Sequence, residues 1–190
     1  REYFLTKNGS ETEESIDYRG WMILGIVLDA GETDLYTIAE KLCLSEQAVY
    51  KEIIKFRKMM MEEYRCKLIH VSAERVWLDE DERKIRQTLF RIIKNETQKG
   101  IKSYNNFLKA VLAPVFEKVI YEDLMTIIKE YFDSKNIQVS DANLYMIVSA
   151  IYITMLRNSQ GHYLKKTDYH QQGEFSSENK ELFSHLMLQG

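Results

Sequence analysis

Apolar residues recur at intervals of three and four along much of the chain, a spacing that indicates helices with one buried face. The pattern is clear in residues 18–28 and 35–42, and again in a segment that begins after Ser45 and runs to about Tyr64. Ser45 is a favourable N-cap, because its hydroxyl can accept a hydrogen bond from an unpaired backbone N–H of the first helical turn. Three successive helices are therefore predicted in this part of the chain.

Two short β-prone runs follow these helices. They cover residues 67–71 and 76–78, and four residues, Ser72-Ala73-Glu74-Arg75, separate them. This pattern predicts a small antiparallel hairpin with Arg75 at its tip. Three helices and a hairpin, with a short turn between the second and third helices, are the elements of a winged helix-turn-helix.

The rest of the chain carries helical patterns, apart from a polar stretch at 163–178 that is expected to be a loop. Acidic residues 79–82 supply favourable negative charge at the start of a long helix, and Gly100 is expected to end that helix. Further helices are predicted at 104–112, 114–133, 141–157 and 177–188. The predicted fold class is mainly α, with a winged helix-turn-helix followed by an all-α helical-bundle regulatory domain.

These elements divide the chain into four parts. Residues 1–17 combine a short apolar run with a polar, acidic stretch, and they are interpreted as the end of an upstream module and a linker. A winged helix-turn-helix at 18–80, a connecting helix at 81–103 and a regulatory domain at 104–190 follow. Because the chain opens on Arg1 rather than methionine, a fragment of a longer protein is expected.

Composition and charge exclude several classes of protein. Lys and Arg total 26 and Asp and Glu total 29, so the net charge of −3 argues against a histone-like or ribosomal protein. One proline and eight glycines are too few turn residues for an all-β fold. The two cysteines fit neither a disulfide framework nor a metal site, which favours the reducing cytoplasm. No run of about 18 apolar residues exists, so no membrane contact is predicted.

The third predicted helix carries the candidate DNA contacts. With Val49, Ile53 and Phe56 inward, its opposite face presents side chains that can reach base edges or phosphates in a major groove. The predicted DNA-binding residues are Ser45, Gln47, Ala48, Tyr50, Lys51, Lys55 and, at the hairpin tip, Arg75. Cys43 occupies a turn position at which many helix-turn-helix proteins have glycine, so the backbone there is expected to be less relaxed.

Sequence motifs for catalysis are missing. The chain has no G-x-G-x-x-G, no phosphate-binding loop and no G-x-S-x-G, and its four histidines lack metal-ligand spacing. The acidic residues 79–82 are explained more simply as the first turn of a helix than as a cation site. A non-enzymatic protein with no cofactor and no metal is predicted.

The order of elements resembles the PRD-containing transcriptional regulators of the BglG/LicR/Mga-like group. The segment LYTIAEKLCLSEQAVYKEI is similar to their helix-turn-helix, and VWLDEDERKIR is similar to the signature at which their wing ends. Val76, Leu78, Glu82 and Arg86 match that signature, whereas Glu80 stands where the family usually has glycine. The resemblance covers roughly residues 18–190.

A second segment, SDANLYMIVSAIYITMLRNSQGHYL, resembles the central helix of a phosphotransferase-system (PTS) regulation domain. That helix typically carries a phosphorylatable histidine seven residues before an arginine, followed by a glycine. Arg157 and Gly161 match, but Ala150 stands at the histidine position. His162 and His170 are therefore the candidate phosphoacceptors, with Arg157 as a further regulatory residue.

The resemblance implies a cytoplasmic transcriptional regulator of sugar-uptake or carbohydrate-utilisation genes. Its expected partners are double-stranded DNA, a second copy in a homodimer, and phosphotransferase-system proteins that act on domains outside this segment. Two alternatives stay open. One is a protein-interaction or dimerisation scaffold with a degenerate helix-turn-helix, and the other is an RNA-binding antiterminator.

Overall fold

The computed structural model describes residues 16–78, 81–112 and 118–164. These residues form seven helices and one three-stranded sheet, so the mainly α class is confirmed. The helices are α1 (Ile16–Ala30), α2 (Leu35–Leu42), α3 (Glu46–Tyr64), α4 (Glu82–Lys99), α5 (Ile101–Leu112), α6 (Lys118–Ser134) and α7 (Asp141–Ser159). The strands are β1 (Glu32–Asp34), β2 (Ile69–Ser72) and β3 (Arg75–Leu78).

The three helices α1 to α3 are followed by the predicted hairpin, in which β2 and β3 pair antiparallel with Val71 opposite Val76. A third strand, β1, was not predicted. It pairs antiparallel with the other edge of β3, so β3 is the central strand. The three residues of β1 have mixed polarity and carry no β-strand pattern of their own. They pair with β3 only because α1, which ends just before them, places them beside that strand.

The turn between α2 and α3 is tightly hydrogen-bonded. Cys43 ends α2 in the left-handed region, with φ of 53°, and the N–H of Leu44 donates to the carbonyl of Ala39 at 2.9 Å. Ser45 then begins α3, and its hydroxyl accepts a hydrogen bond from the N–H of Ala48 at 3.2 Å. The predicted N-cap is confirmed, and the backbone of Cys43 takes the conformation that glycine adopts most readily.

One hydrophobic core joins the first three helices to α5. The ring of Trp21 packs edge-on against Phe56 and Phe107, with ring centroids 5.0 and 5.2 Å away. Gly25 lets α1 approach α5 closely, because any side chain there would collide with the backbone carbonyls of Ala110 and Val111. The core is therefore continuous across the predicted domains, whose limits at residues 80 and 103 stay predictions.

The helices beyond the sheet follow the predicted order with shifted ends. Helix α4 ends at Gly100 as predicted, and α5 begins three residues before the predicted start at 104. Helix α4 packs against α5 and α7, and α6 packs against α7. The predicted start of the sixth helix at 114, residues 1–15 and the last helix at 177–188 lie outside the described residues. The predicted linker at 1–17 extends too far, because Ile16 and Asp17 already belong to α1.

Two buried polar clusters hold these helices together. The carboxylate of Glu96 in α4 accepts hydrogen bonds from Tyr64 Oη at 3.1 Å, Lys99 Nζ at 2.9 Å and Ser103 Oγ at 2.5 Å. A second cluster joins α5, α6 and α7, where the hydroxyls of Tyr104, Tyr121 and Ser149 bond to one another. Buried polar groups that are fully paired in this way fix which helices lie together.

We expect Cys43→Gly to stabilise the protein by about 0.5–1 kcal/mol. A left-handed conformation costs an L-residue roughly 1–2 kcal/mol, and the larger entropy of glycine in the unfolded chain offsets part of that gain. Urea unfolding followed by circular dichroism measures the change. Cys43→Ala is the matched control, because it removes the exposed thiol and keeps the strained Cβ. A less stable glycine variant would contradict the expectation.

Candidate nucleic-acid interface

Helix α3 presents one buried face and one exposed face. Val49, Ile53 and Phe56 are buried in the core, as predicted. Four of the predicted contacts, Gln47, Tyr50, Lys51 and Lys55, are exposed on the other side, and Ala48 is half-buried at the edge. The structure therefore brings the predicted α3 residues together on one surface.

Ser45 is exposed and is already engaged as the N-cap of α3. Its oxygen accepts the N–H of Ala48, which leaves the hydroxyl proton available for donation to an acceptor outside the protein. A helix N-terminus favours negative charge, because its backbone N–H groups point outward. The start of α3 therefore suits a phosphate, although Glu46 in the first turn adds a carboxylate beside it.

The positive charges on α3 differ in how far they are neutralised. Lys55 Nζ lies 3.2 Å from the buried carboxylate of Glu52, and Lys58 Nζ lies 3.9 Å from Glu62. Lys51 makes no ion pair with any residue that the structure describes. Its ammonium group therefore lacks the compensating carboxylate that Lys55 and Lys58 each have.

The hairpin places Arg75 differently from the prediction of a side chain at the tip. Arg75 is the first residue of β3, and its guanidinium pairs with the carboxylate of Glu32 in β1. Beside this pair, His70 and Trp77 stack across the strands with ring centroids 4.4 Å apart. An exposed ion pair of this kind contributes little to stability, so Arg75 can exchange Glu32 for another anion at small cost.

Two exposed residues were missed by the sequence analysis. Ile54 is 42% exposed on the same side of α3 as Tyr50, one helical turn away. Tyr36 is 64% exposed in the first turn of α2. Helical spacing already places Ile54 four residues after Tyr50, but an apolar residue there was not considered as a contact. For Tyr36 the sequence gives no such signal.

The residues that the family resemblance singled out meet at a second, buried site. The side chain of Arg157, which is 2% exposed, binds both carboxylate oxygens of Glu82, with Nη2 at 2.6 Å and Nε at 3.2 Å. Its Nη1 also donates to the backbone carbonyl of Leu28 at 2.9 Å. The end of α7, the start of α4 and the end of α1 are thereby joined at one point.

Arg86 completes this cluster. Its Nε donates to Glu82 at 2.8 Å, and its Nη2 donates to the backbone carbonyl of His162 at 2.6 Å. Burial raises the pKa of the Glu82 carboxyl, but hydrogen bonds and charges from Arg157 and Arg86 outweigh it, and the net pKa lies below its ordinary value. Glu82 is therefore ionised at neutral pH and is held by two guanidinium groups.

Two of the predicted regulatory residues, Arg157 and His162, lie at this cluster. Burial, together with the positive charges of Arg157 and Arg86, lowers the pKa of the His162 imidazole, although Glu82 opposes the shift. His162 is half-buried, Arg157 is buried rather than accessible, and His170 lies outside the described residues. Ala150, at the position where a histidine is expected, lines an open groove of about 420 Å³ between α4 and α7.

In the described ranges, no group of three or more His, Cys, Asp or Glu side chains could hold a metal ion. No helix among the same residues is long and apolar enough to span a membrane. Asp81 caps α4 by accepting a hydrogen bond from the N–H of Lys84 at 2.9 Å, and Glu82 binds the two arginines.

We expect Glu82→Gln to lower the free energy of unfolding at pH 7 by about 3 kcal/mol or more, because it leaves the buried Arg157 without a counter-charge. The folded pKa of Glu82 lies below its unfolded value of about 4.3, so the pair stabilises the fold above that pH. That contribution is lost as the pH falls through the folded pKa.

Urea unfolding at pH 7 and near pH 3 measures this difference. The difference in the free energy of unfolding between wild type and Glu82→Gln is expected to be smaller near pH 3 than at pH 7. Glu130→Gln, on the exposed side of α6, is the matched control and should differ little from wild type at either pH. A gap that does not change with pH would contradict the assignment of the ion pair.

Comparison with known proteins adds nothing to this geometry. No protein-family model matches the chain, and no curated protein or solved structure matches it either.

Proposed function

We propose that this chain is a cytoplasmic, DNA-binding transcriptional regulator that binds double-stranded DNA as a homodimer. The observation that carries the proposal is the exposed Lys51, without an ion pair among the described residues, beside Gln47 and Tyr50 on the N-terminal half of α3. That half-helix follows a tightly capped turn and is accompanied by a three-stranded sheet in the position of a wing. These are the parts that a winged helix-turn-helix uses.

The chemistry of the exposed face suits a major groove, which is about 12 Å wide and admits one helix. The Gln47 amide can pair with the N6 and N7 of an adenine, and Lys51 can donate to a guanine or neutralise a phosphate. The hydroxyl of Ser45 and the N-terminus of α3 can bind a phosphate and so fix the register of the helix. Arg75 can reach a second phosphate if it leaves Glu32.

The proposed control acts through the cluster around Glu82. Resemblance to PRD-containing regulators supports sugar-uptake or carbohydrate-utilisation genes as targets and phosphotransferase-system proteins as the source of the signal. A phosphoryl group on His162 would be a dianion near Arg157 and Arg86, and it would compete with Glu82 for them. Because Glu82 lies shortly after β3, such a change would move the wing.

A second candidate function is a protein-interaction scaffold. Ile54 and Met61 are both more than 40% exposed on α3, and apolar side chains on an exposed helix are also typical of a surface that binds another helix. The two functions differ in their response to salt, because only binding to DNA releases counterions from phosphates. The RNA antiterminator alternative has no supporting observation among the described residues.

Fluorescence anisotropy with a labelled promoter-length duplex from the operon that encodes the chain tests the proposal, with an unrelated duplex for comparison. Affinity is expected to fall as salt rises, because counterions are released from the phosphates on binding. Lys51→Ala is expected to weaken binding to both duplexes and to reduce the salt slope by about two, because each protomer of the homodimer loses one phosphate contact. Lys129→Ala, which removes the same charge from the exposed side of α6, is the matched control.

Thermal unfolding and light scattering show whether each variant is folded and dimeric. A folded dimer that binds no duplex, or whose binding ignores salt, would refute the DNA-binding proposal and favour the scaffold. Equal losses in Lys51→Ala and Lys129→Ala would show that binding follows net charge alone and does not use α3.

A further inference from the structure

The exposed side of α3 carries two parallel stripes of different chemistry. At 100° per residue, Tyr50, Ile54 and Met61 lie within about 40° of one another around the helix axis. Lys51, Lys55 and Lys58 lie together next to them, rotated by roughly a quarter turn. All six residues are exposed. The helix therefore offers an apolar stripe bordered by ammonium groups.

The apolar stripe begins in the half of α3 proposed to enter a major groove. Tyr50 is 45% exposed and Ile54 is 42% exposed, and the rise between them along the helix is about 6 Å. Two base-pair steps span about 6.8 Å. Met61 lies about 10 Å farther along the axis than Ile54, towards the end at which the helix leaves the groove.

The ligand that fits both stripes carries negative charge beside Lys51 and has small apolar groups at this spacing, whereas Lys55 and Lys58 already lie near Glu52 and Glu62. Thymine places a C5-methyl group on the floor of the major groove, and apolar side chains recognise it by contact. The phosphates on the groove edge would meet the lysine stripe. A partner helix would need acidic and apolar residues in register, whereas an A·T-rich duplex has both features already.

We propose, on the basis of the proposed function, that Tyr50 and Ile54 determine specificity by contacting the methyl groups of two thymines about two base-pair steps apart. Ile54 has no hydrogen-bonding group in its side chain. It recognises its thymine through apolar contact with the methyl group. Gln47 lies about one turn before Tyr50, and Lys51 lies about one turn before Ile54. These two residues supply the polar contacts. The half-site would therefore combine a base read by hydrogen bonds with a pair of thymines.

Replacing thymine with deoxyuridine tests this directly, because it removes the methyl group and keeps every hydrogen bond of the base pair. The probes are duplexes selected from a randomised library by the wild-type protein and resynthesised with deoxyuridine at one thymine at a time. Wild type is expected to lose about fourfold in affinity at each of two thymines, the equivalent of one buried carbon group.

The protein variants locate each contact. Ile54→Ala should bind the thymine and deoxyuridine duplexes equally at one of these positions, and Tyr50→Ala should do so at the other. Met61→Ala, equally exposed on the same stripe but beyond the groove, should keep the wild-type sensitivity. Each substituted side chain is exposed, and thermal unfolding checks that each variant is folded.

The outcomes separate this inference from the proposed function. Salt-sensitive binding without any effect of deoxyuridine would overturn the thymine contacts and leave DNA binding intact. Wild type, Ile54→Ala and Tyr50→Ala could all lose the same affinity when thymine is replaced with deoxyuridine. That result would show that the methyl group acts through the shape of the DNA, and it would overturn the inference. If no duplex is selected by a folded protein, both the inference and the proposed function fail.

Discussion

The buried guanidinium of Arg157 imposes the constraint on which the arrangement of the described helices depends. A charge removed from water must be paired, and Glu82 pairs with it through both carboxylate oxygens. The end of α7 must therefore stay at the start of α4. Because Arg157 also binds the Leu28 carbonyl, the end of α1 is held at the same corner. Strand β3 ends at Leu78, a few residues before Glu82 along the chain.

Helix α4 is fixed at both ends by a carboxylate, which is half-buried at Glu82 and buried at Glu96. Glu82 at its start binds the arginines, and Glu96 near its end binds Tyr64 at the end of α3 and Ser103 in α5. The two carboxylates are about 21 Å apart along the helix. Helix α4 thus connects the part that carries α3 to the part that carries α7. In a regulator, this connection would let a structural change beside Arg157 alter the position of the proposed DNA-binding surface.

The proposed DNA surface has little uncompensated positive charge. Lys55 and Arg75 have carboxylate partners, and Glu46 lies beside the start of α3. Each protomer would therefore gain few counterion-releasing contacts, and a dimer would double them. With a small electrostatic contribution, discrimination would depend on close contacts by Gln47, Tyr50 and Ile54. This agrees with an overall charge of −3, at which strong nonspecific attraction to DNA is not expected.

Local patterns in the sequence were sufficient for several features. The spacing of Val49, Ile53 and Phe56 gave the buried face of α3, and Ser45 gave its start, because periodicity and capping are properties of neighbouring residues. The hairpin followed from two β-prone runs around a polar turn. The exposed positions of Gln47, Tyr50 and Lys51 followed from the same helical geometry.

Other features depend on residues far apart in the chain. Strand β1 exists only where α1 brings it to β3, and Arg75 in β3 is neutralised by Glu32 in β1, a partner that periodicity does not reveal. Arg157 and Glu82 were each noted by resemblance, but their ion pair across 75 residues was not. By itself the sequence determined which segments are helices and which faces are apolar. The tertiary structure alone decided which charges are buried in pairs, because the free energy of a charge depends on neighbours that only folding brings together.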